Sequence, residues 1–294
     1  MNFSNIIERF KDLIGVQFVL TKEWNKLPHT KGWRYGMGNA LAVLKPGKLT
    51  QIWKILEICV ESDLIVIMQA ANTGLTGGST PFGSDYDRPI VIINTMRIKD
   101  IHIIKEGNQI VGLTGSTLYG LEKKLKPYGR EPHSIIGSTS IGASIIGGIC
   151  NNAGGSLVQR GPSYTEMALY ARISKTGKLE LVNELGINLG SNPEEILDNL
   201  QNQNYDESDI HETDQLGSDN KYSEIVREVD KSTPARYNSD SRLLYGASGS
   251  AGKIAVFAVR LDTYVSPTEN KVFYVGTNNP DVFWKIRRDI LSKF

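Results

Sequence analysis

The chain has 294 residues, 40% of them hydrophobic, and a formal charge of +1 from 33 Lys and Arg against 32 Asp and Glu. That is enough apolar material for a large core in one or two domains, and near-neutral charge without a basic block excludes an electrostatic nucleic-acid binder. Cys59 and Cys150 stand apart in apolar runs with no CxxC or Cys/His spacing, which excludes a disulfide framework and a zinc site and leaves two buried thiols of a reducing compartment.

The start, MNFSNIIERF, lacks the apolar region of a signal peptide. No run reaches the ~18 apolar residues of a membrane span. A cytoplasmic protein with at most peripheral membrane contact is expected.

Residues 5–15 predict an amphipathic helix with Ile6, Ile7, Phe10, Leu13 and Ile14 on one side. Ala40–Leu44 reads as a strand closed by the turn Lys45-Pro46-Gly47. Ile52, Ile55, Leu56, Cys59 and Val60 then recur at helical spacing, and Leu64–Met68 is a strand. It delivers the segment 69–81, QAANTGLTGGSTP. Strand, helix, strand and loop in that order mark an α/β unit with a ligand loop at a strand's carboxyl end. The glycines at 74, 77 and 78 let backbone N–H groups turn toward one point without a Cβ in the way. Asn72, Thr73, Thr76, Ser79 and Thr80 add short polar side chains. The segment has no Lys or Arg, so an anion held there is held by backbone dipoles and hydroxyls, as a dinucleotide pyrophosphate is.

Pro89–Ile93 follows as a buried strand, Ile110–Val111 with Leu113 as a short one, and 116–125 as a helix with Leu118, Leu121 and Leu125 inside. The segment 137–155, GSTSIGASIIGGICNNAGG, alternates small residues with an apolar run. Residues 137–140 read as a helix N-terminus capped by Ser or Thr, and Asn151, Asn152, Gly154 and Gly155 as a second close-approach turn. Met167, Leu169, Ala171 and Ile173 alternate toward a turn at Thr176-Gly177, and Leu179 and Leu181 return, which predicts a β-hairpin. Between 194 and 230 twelve acidic residues face two basic ones, so an acidic insert, solvated and partly mobile, is expected. Order is expected to return at Thr233–Tyr237. Strands at 252–260 and 272–275 follow, then a last helix capped by Asn279 with Val282, Phe283, Ile286 and Ile290 inside. Helices and strands mix without a strict βαβ repeat, so the expected class is α+β rather than a doubly wound sheet.

Four long words carry a family resemblance: AANTGLTGGSTP, TGSTLYGLEKKLKPYGREPHS, IGASIIGGICNNAGGSLVQRGPSYTEM and AGKIAVFAVRLDT. They resemble the FAD-binding domain of the vanillyl-alcohol-oxidase, or PCMH, type, and within it the bacterial respiratory quinone-linked D-lactate dehydrogenases. The resemblance runs from near residue 30 to the last residue and loosens only within 195–230. It implies an α+β, PCMH-type two-subdomain FAD-binding domain over 1–268, containing the acidic insert, and the start of a cap or substrate domain at 269–294. Proteins of that family continue well past Phe294. The first loop contains no histidine or cysteine to attach a flavin, so non-covalent FAD is expected. The family's contacts fall on Ala70, Ala71, Asn72, Thr73, Gly74, Gly78, Ser79, Gly137, Ser144, Gly154 and Val256. Pattern alone would read Val256 as an ordinary core valine.

The implied function is oxidation of D-lactate, or a related D-2-hydroxy acid, to pyruvate with electrons passed to a membrane quinone. The implied location is the cytoplasmic side of the inner or plasma membrane, with peripheral contact mainly through the part beyond this chain. The alternative is an FAD-binding fragment that turns nothing over. A nicotinamide dehydrogenase is disfavoured, because no GxGxxG opens a helix after a first strand and no acid follows at the usual distance.

Oxidising a hydroxy acid also requires a cation for the carboxylate and a base near neutrality. Arg34, Arg130, Arg160 and Arg260 lie in matched segments but read as surface or packing residues. His29, His102 and His211 sit in turn, strand-edge and acidic-insert contexts that favour solvation. His133, nearest the second loop, reads as a structural hydrogen-bonding group. By resemblance the base and the carboxylate clamp belong to the covering domain, so no catalytic residue is assigned.

Overall fold

A computed structural model describes residues 3–231 and 240–293. The element order is α1 (Phe3–Ile14), β1 (Val19–Leu20), α2 (Glu23–Thr30), β2 (Ala42–Leu44), α3 (Leu49–Glu61), β3 (Ile65–Gln69), β4 (Ile90–Asn94), β5 (Ile101–Ile104), β6 (Gln109–Leu113), α4 (Leu118–Leu125), β7 (Arg130–Glu131), α5 (Ile145–Cys150), β8 (Ala168–Ile173), β9 (Leu179–Asn183), α6 (Pro193–Asn202), α7 (Tyr222–Ile225), β10 (Ala255–Asp262), β11 (Tyr264–Val265) and α8 (Pro280–Leu291). The expected return of order at Thr233–Tyr237 lies outside the described residues.

Two sheets form two lobes. The first has the order β1-β2-β4-β3, with β2, β4 and β3 parallel and β1 antiparallel at its edge. The second is antiparallel throughout, in the order β5-β6-β10-β8-β9. Strand β4 is central, so both faces are covered and every residue of the run Ile-Val-Ile-Ile-Asn is buried. Its alternate side chains feed different cores. Ile90 and Ile92 pack with Val43, while Val91 and Ile93 join the large cluster that also holds Ile52, Ile55, Leu113, Leu169 and Phe257. That cluster draws on both sheets, so the lobes share one core. The far face of the second sheet is covered by α4 and α5 through Leu121, Leu125, Ile145 and Ile149.

The lobes meet where backbone touches backbone. Gly115 N donates to Ile98 O (2.8 Å), and a Cβ on Gly115 would lie 2.2 Å from Thr95 O. Only glycine fits that crossing.

Three expectations need correction. The start of the acidic segment is not a solvated insert but a packed helix, while 203–215 run mostly exposed. Asn192 caps α6 by accepting from Glu195 N, Pro193 starts the helix, and Leu197 and Leu200 are completely buried against α3. Acidic residues fill the outer face of an amphipathic helix, and composition alone hid the two leucines. Second, residues 272–275 pair with no strand among the described residues, and Val272, Phe273, Tyr274 and Val275 are exposed. Third, α8 forms with Asn279 as its cap, but only Val282 and Ile286 are half-buried while Phe283 and Ile290 are about half exposed, so among the described residues its apolar face is only partly covered.

Candidate functional site

The segment after β3 is a loop whose path is set by side chains, not by further secondary structure. Gln69 and Asn94 end neighbouring parallel strands in register and are both buried. Asn94 Nδ2 donates to Ala70 O (3.0 Å), Gln69 Nε2 donates to Ser79 O (2.8 Å), and Ser79 Oγ donates to Asn72 Oδ1 (2.8 Å). Asn72 takes a left-handed conformation (φ 54°) and donates from Nδ2 to Lys31 O (2.8 Å). The amide of Asn72 and the hydroxyl of Ser79 are therefore spent on the fold. The expectation that they line the concavity as free donors is corrected.

What the loop leaves free is its backbone. Among the described residues, no N–H group of residues 71–79 donates to a protein acceptor. A Cβ on Gly74 or Gly78 would meet nothing within 4 Å. Successive N–H groups without a protein partner are what an anion-binding nest requires, and neither glycine is there to relieve a clash within the chain.

The second stretch differs in detail from expectation. Residues 139–141 make a single 3₁₀ turn, and the α-helix begins only at Ile145, with Ser144 as its cap accepting from Gly147 N (3.0 Å). The cap therefore sits at 144, not within 137–140. Gly137 and Gly154 are exposed, with nothing within 4 Å of an added Cβ. Val256 is buried in the cluster of Ile145, Ile146 and Ile149, beside a bulge in β10.

One hydrogen-bonded rim joins the two stretches. Thr95 N donates to Gln69 O (2.8 Å), Thr95 Oγ1 to Thr114 O (3.1 Å), and Ile145 N to Ser116 O (3.0 Å). The first segment leaves the carboxyl end of β3, and the second, which follows β7, is bonded to the turn after β6, so both reach one side of the lobe junction.

Most of the candidate substrate groups are otherwise engaged, while Arg34 and His211 are exposed. Arg260 is 2% exposed and donates to Gln109 and to Leu185 O. Arg160 pairs with Glu131, and Arg130 holds Thr263. His29 lies at the end of a helix rather than in a turn, and His102, expected to be solvated, is buried with Nδ1 2.7 Å from Tyr205 Oη. Sequence periodicity marked neither α2 nor the pairing partner of His102. Among the described residues no group of three or more His, Cys, Asp or Glu could hold a metal.

His133 is buried with Nε2 3.0 Å from Ser163 Oγ, and burial, helped by the charge of Arg160, pushes it down to about 4. Burial moves His102 the same way, to about 4. An unfolded histidine takes its proton near pH 6.5, well above these folded values, so stability is full above that pH and is lost as pH falls from 6.5 toward 4. At pH 5 the loss from His133 is about 2 kcal/mol. The urea midpoint is expected to drop from pH 7.5 to pH 5, and His133→Asn, which cannot charge, to flatten that slope. A slope unchanged by the substitution would contradict the assignment.

Comparison with known proteins now bears on this geometry. Residues 40–178 match the family model described as FAD binding domain. The whole chain is 55% identical over 294 residues to a quinone-dependent D-lactate dehydrogenase of Haemophilus influenzae, of which it spans 52%. It is 54% identical over 282 residues, 96% of the chain and 49% of the relative, to the one of Escherichia coli. The chain therefore spans about half the length of the curated relatives it matches. Among solved structures, an alkyldihydroxyacetonephosphate synthase superposes with TM-score 0.60 at 12% identity, covering 92% of this chain and 42% of that one. A substrate-bound p-cresol methylhydroxylase superposes with TM-score 0.55 at 13% identity, covering 91% and 44%. These two show the fold alone, the PCMH-type α+β arrangement of two subdomains. The chain thus combines a match to the FAD binding domain over residues 40–178 with similarity to the quinone-dependent D-lactate dehydrogenases across about half of their length.

Proposed function

We propose that this chain is the FAD-holding part of an enzyme that oxidises D-lactate, or a closely related D-2-hydroxy acid, with a membrane quinone as electron acceptor. The observation that carries it is the row of unpaired backbone N–H groups at 71–79, set within a sequence 55% identical to a dehydrogenase of that name. When bound, FAD takes two electrons from an alcohol carbon and releases them one or two at a time. The chain's own residues hold the cofactor. The N–H groups of 71–79 take the diphosphate, the exposed backbones at Gly137 and Gly154 leave room for close approach, and Ser144 shapes the rim between them. Ala70, Ala71, Thr73, Gly74 and Gly78 act through backbone, Asn72 and Ser79 by fixing the loop, and Val256 by packing under the second stretch.

Residues 1–268 form this domain, and 269–294 begin a cap or substrate domain. The base and the carboxylate clamp lie outside the chain, a reading supported by the engagement of His29, His102, His133, Arg130, Arg160 and Arg260 in structural bonds. Membrane contact is peripheral, on the cytoplasmic side; no helix among the described residues is long and apolar enough to cross a membrane.

The expected result on purification is a yellow protein whose colour passes to the supernatant on acid precipitation, because the cofactor is not covalently attached. Added alone to D-lactate, the chain is expected to bleach slowly or not at all. Colour retained in the pellet would refute non-covalent binding. No flavin in either fraction after soaking with FAD would refute the cofactor assignment, and fast bleaching would refute the placement of the substrate groups.

A further inference from the structure

The hydrogen bonds around Gln69 fix more than the loop. Gln69 Nε2 donates to His29 O and to Ser79 O, both at 2.8 Å, so its amide hydrogens are committed and Oε1 can only accept. Asn94 Nδ2 donates to that oxygen (3.1 Å), and His29 Nδ1 lies 2.7 Å from it. A ring nitrogen facing an acceptor must carry hydrogen, so the neutral His29 ring is the Nδ1–H tautomer. Two ties then run from the loop to the end of α2. One goes through Gln69 to both the ring and the carbonyl of His29. The other goes through Asn72 to Lys31 O.

We propose that His29 is a positioning residue for the cofactor. Its Nδ1–H holds the Gln69 amide in the one orientation that also grips Ser79 O. That grip sets the shape of the segment 71–79 before any ligand arrives. The inference rests on the FAD reading above. A loop whose donors are already arranged has less freedom to lose on binding, and that saving appears as affinity. The bond is indifferent to the protonation state of the ring, because Nδ1 carries hydrogen whether or not Nε2 does.

The test is titration of the cofactor-free chain with FAD, followed by quenching of flavin fluorescence, for the wild type and for His29→Asn, His29→Gln and His29→Leu. An asparagine amide can place its nitrogen close to the position of Nδ1; glutamine overshoots it and leucine has no donor. Loss of one such bond corresponds to about tenfold in Kd. His29→Leu and His29→Gln are expected to weaken FAD by about that factor, and His29→Asn to stay within about threefold of wild type. Melting temperatures of the cofactor-free proteins should agree within about 2 °C, since the ring is only half-buried at a helix end. FAD binding by His29→Leu equal to wild type would overturn the proposal, as would His29→Asn binding no better than His29→Leu. A wild-type chain that takes up no FAD would overturn the underlying assignment as well, and that result is distinct from either.

Discussion

Gly78→Val is expected to leave the fold intact and remove the cofactor. Nothing lies within 4 Å of a Cβ placed on Gly78, and its φ is outside the left-handed region, so the cofactor-free protein should accept valine without strain. Its melting temperature should stay within about 2 °C of wild type or rise slightly, because glycine is the more disordered residue in the unfolded chain. The isopropyl group would project over N–H groups that otherwise face open space, where an anion must come within about 3 Å of each nitrogen to be held. FAD should weaken by at least about 100-fold, about 3 kcal/mol. Gly115→Ala is the opposite case. Its new methyl would stand 2.2 Å from Thr95 O at the lobe junction, so the loss should appear as instability of several kcal/mol. Thermal melts with and without FAD on the two variants separate the roles. A Gly78→Val protein that binds FAD normally would show that the loop does not take the diphosphate.

Much of this was legible in the chain, for a definable reason. Strands β2, β4, β6 and β10 are runs rich in apolar residues and mostly buried, which makes them easy to read, and the β8–β9 hairpin shows in its alternation toward the turn at Thr176-Gly177. The glycines at 74, 78, 137 and 154 stand out in the sequence, and the structure leaves open space where a side chain would be at each. What could not be read was whether a polar side chain faces outward or inward. Asn72 and Ser79 have the composition of ligand donors, yet they bond to each other and to Lys31 O across 41 residues of sequence. His29 looked like a turn residue because α2 carries Pro28 and few apolar positions, and only its partner 40 residues away reveals its role. The segment 272–275 fails in the opposite sense. Its run of β-branched and aromatic residues is that of a strand, but a strand requires a neighbour, and none is present among the described residues.

The helix that composition concealed also makes the larger stability prediction. α6 is fastened to the first lobe by Leu49 N donating to Gln201 Oε1 (2.6 Å), Gln201 Nε2 to Gly47 O, and an ion pair of Lys54 with Glu194. The chain after it crosses to the second lobe. Tyr205 meets His102 on β5, Glu207 accepts from Lys105 N (3.0 Å), and Arg260 reaches His211 O. Exposed ion pairs such as Lys54–Glu194 and Lys105–Glu212 each contribute at most about 1 kcal/mol. The anchor is instead the fully buried pair Leu197 and Leu200. Truncating either to alanine removes its contacts and leaves a cavity, for a cost of about 2–5 kcal/mol each. In a chain whose lobes share one core, that loss should lower the urea midpoint of a single cooperative transition rather than release a local segment. Circular dichroism and tryptophan fluorescence should report the same midpoint, since Trp53 on α3 belongs to the cluster that α6 covers. If Leu197→Ala and Leu200→Ala left the midpoint unchanged, α6 would be an appendage and not a strap between the lobes.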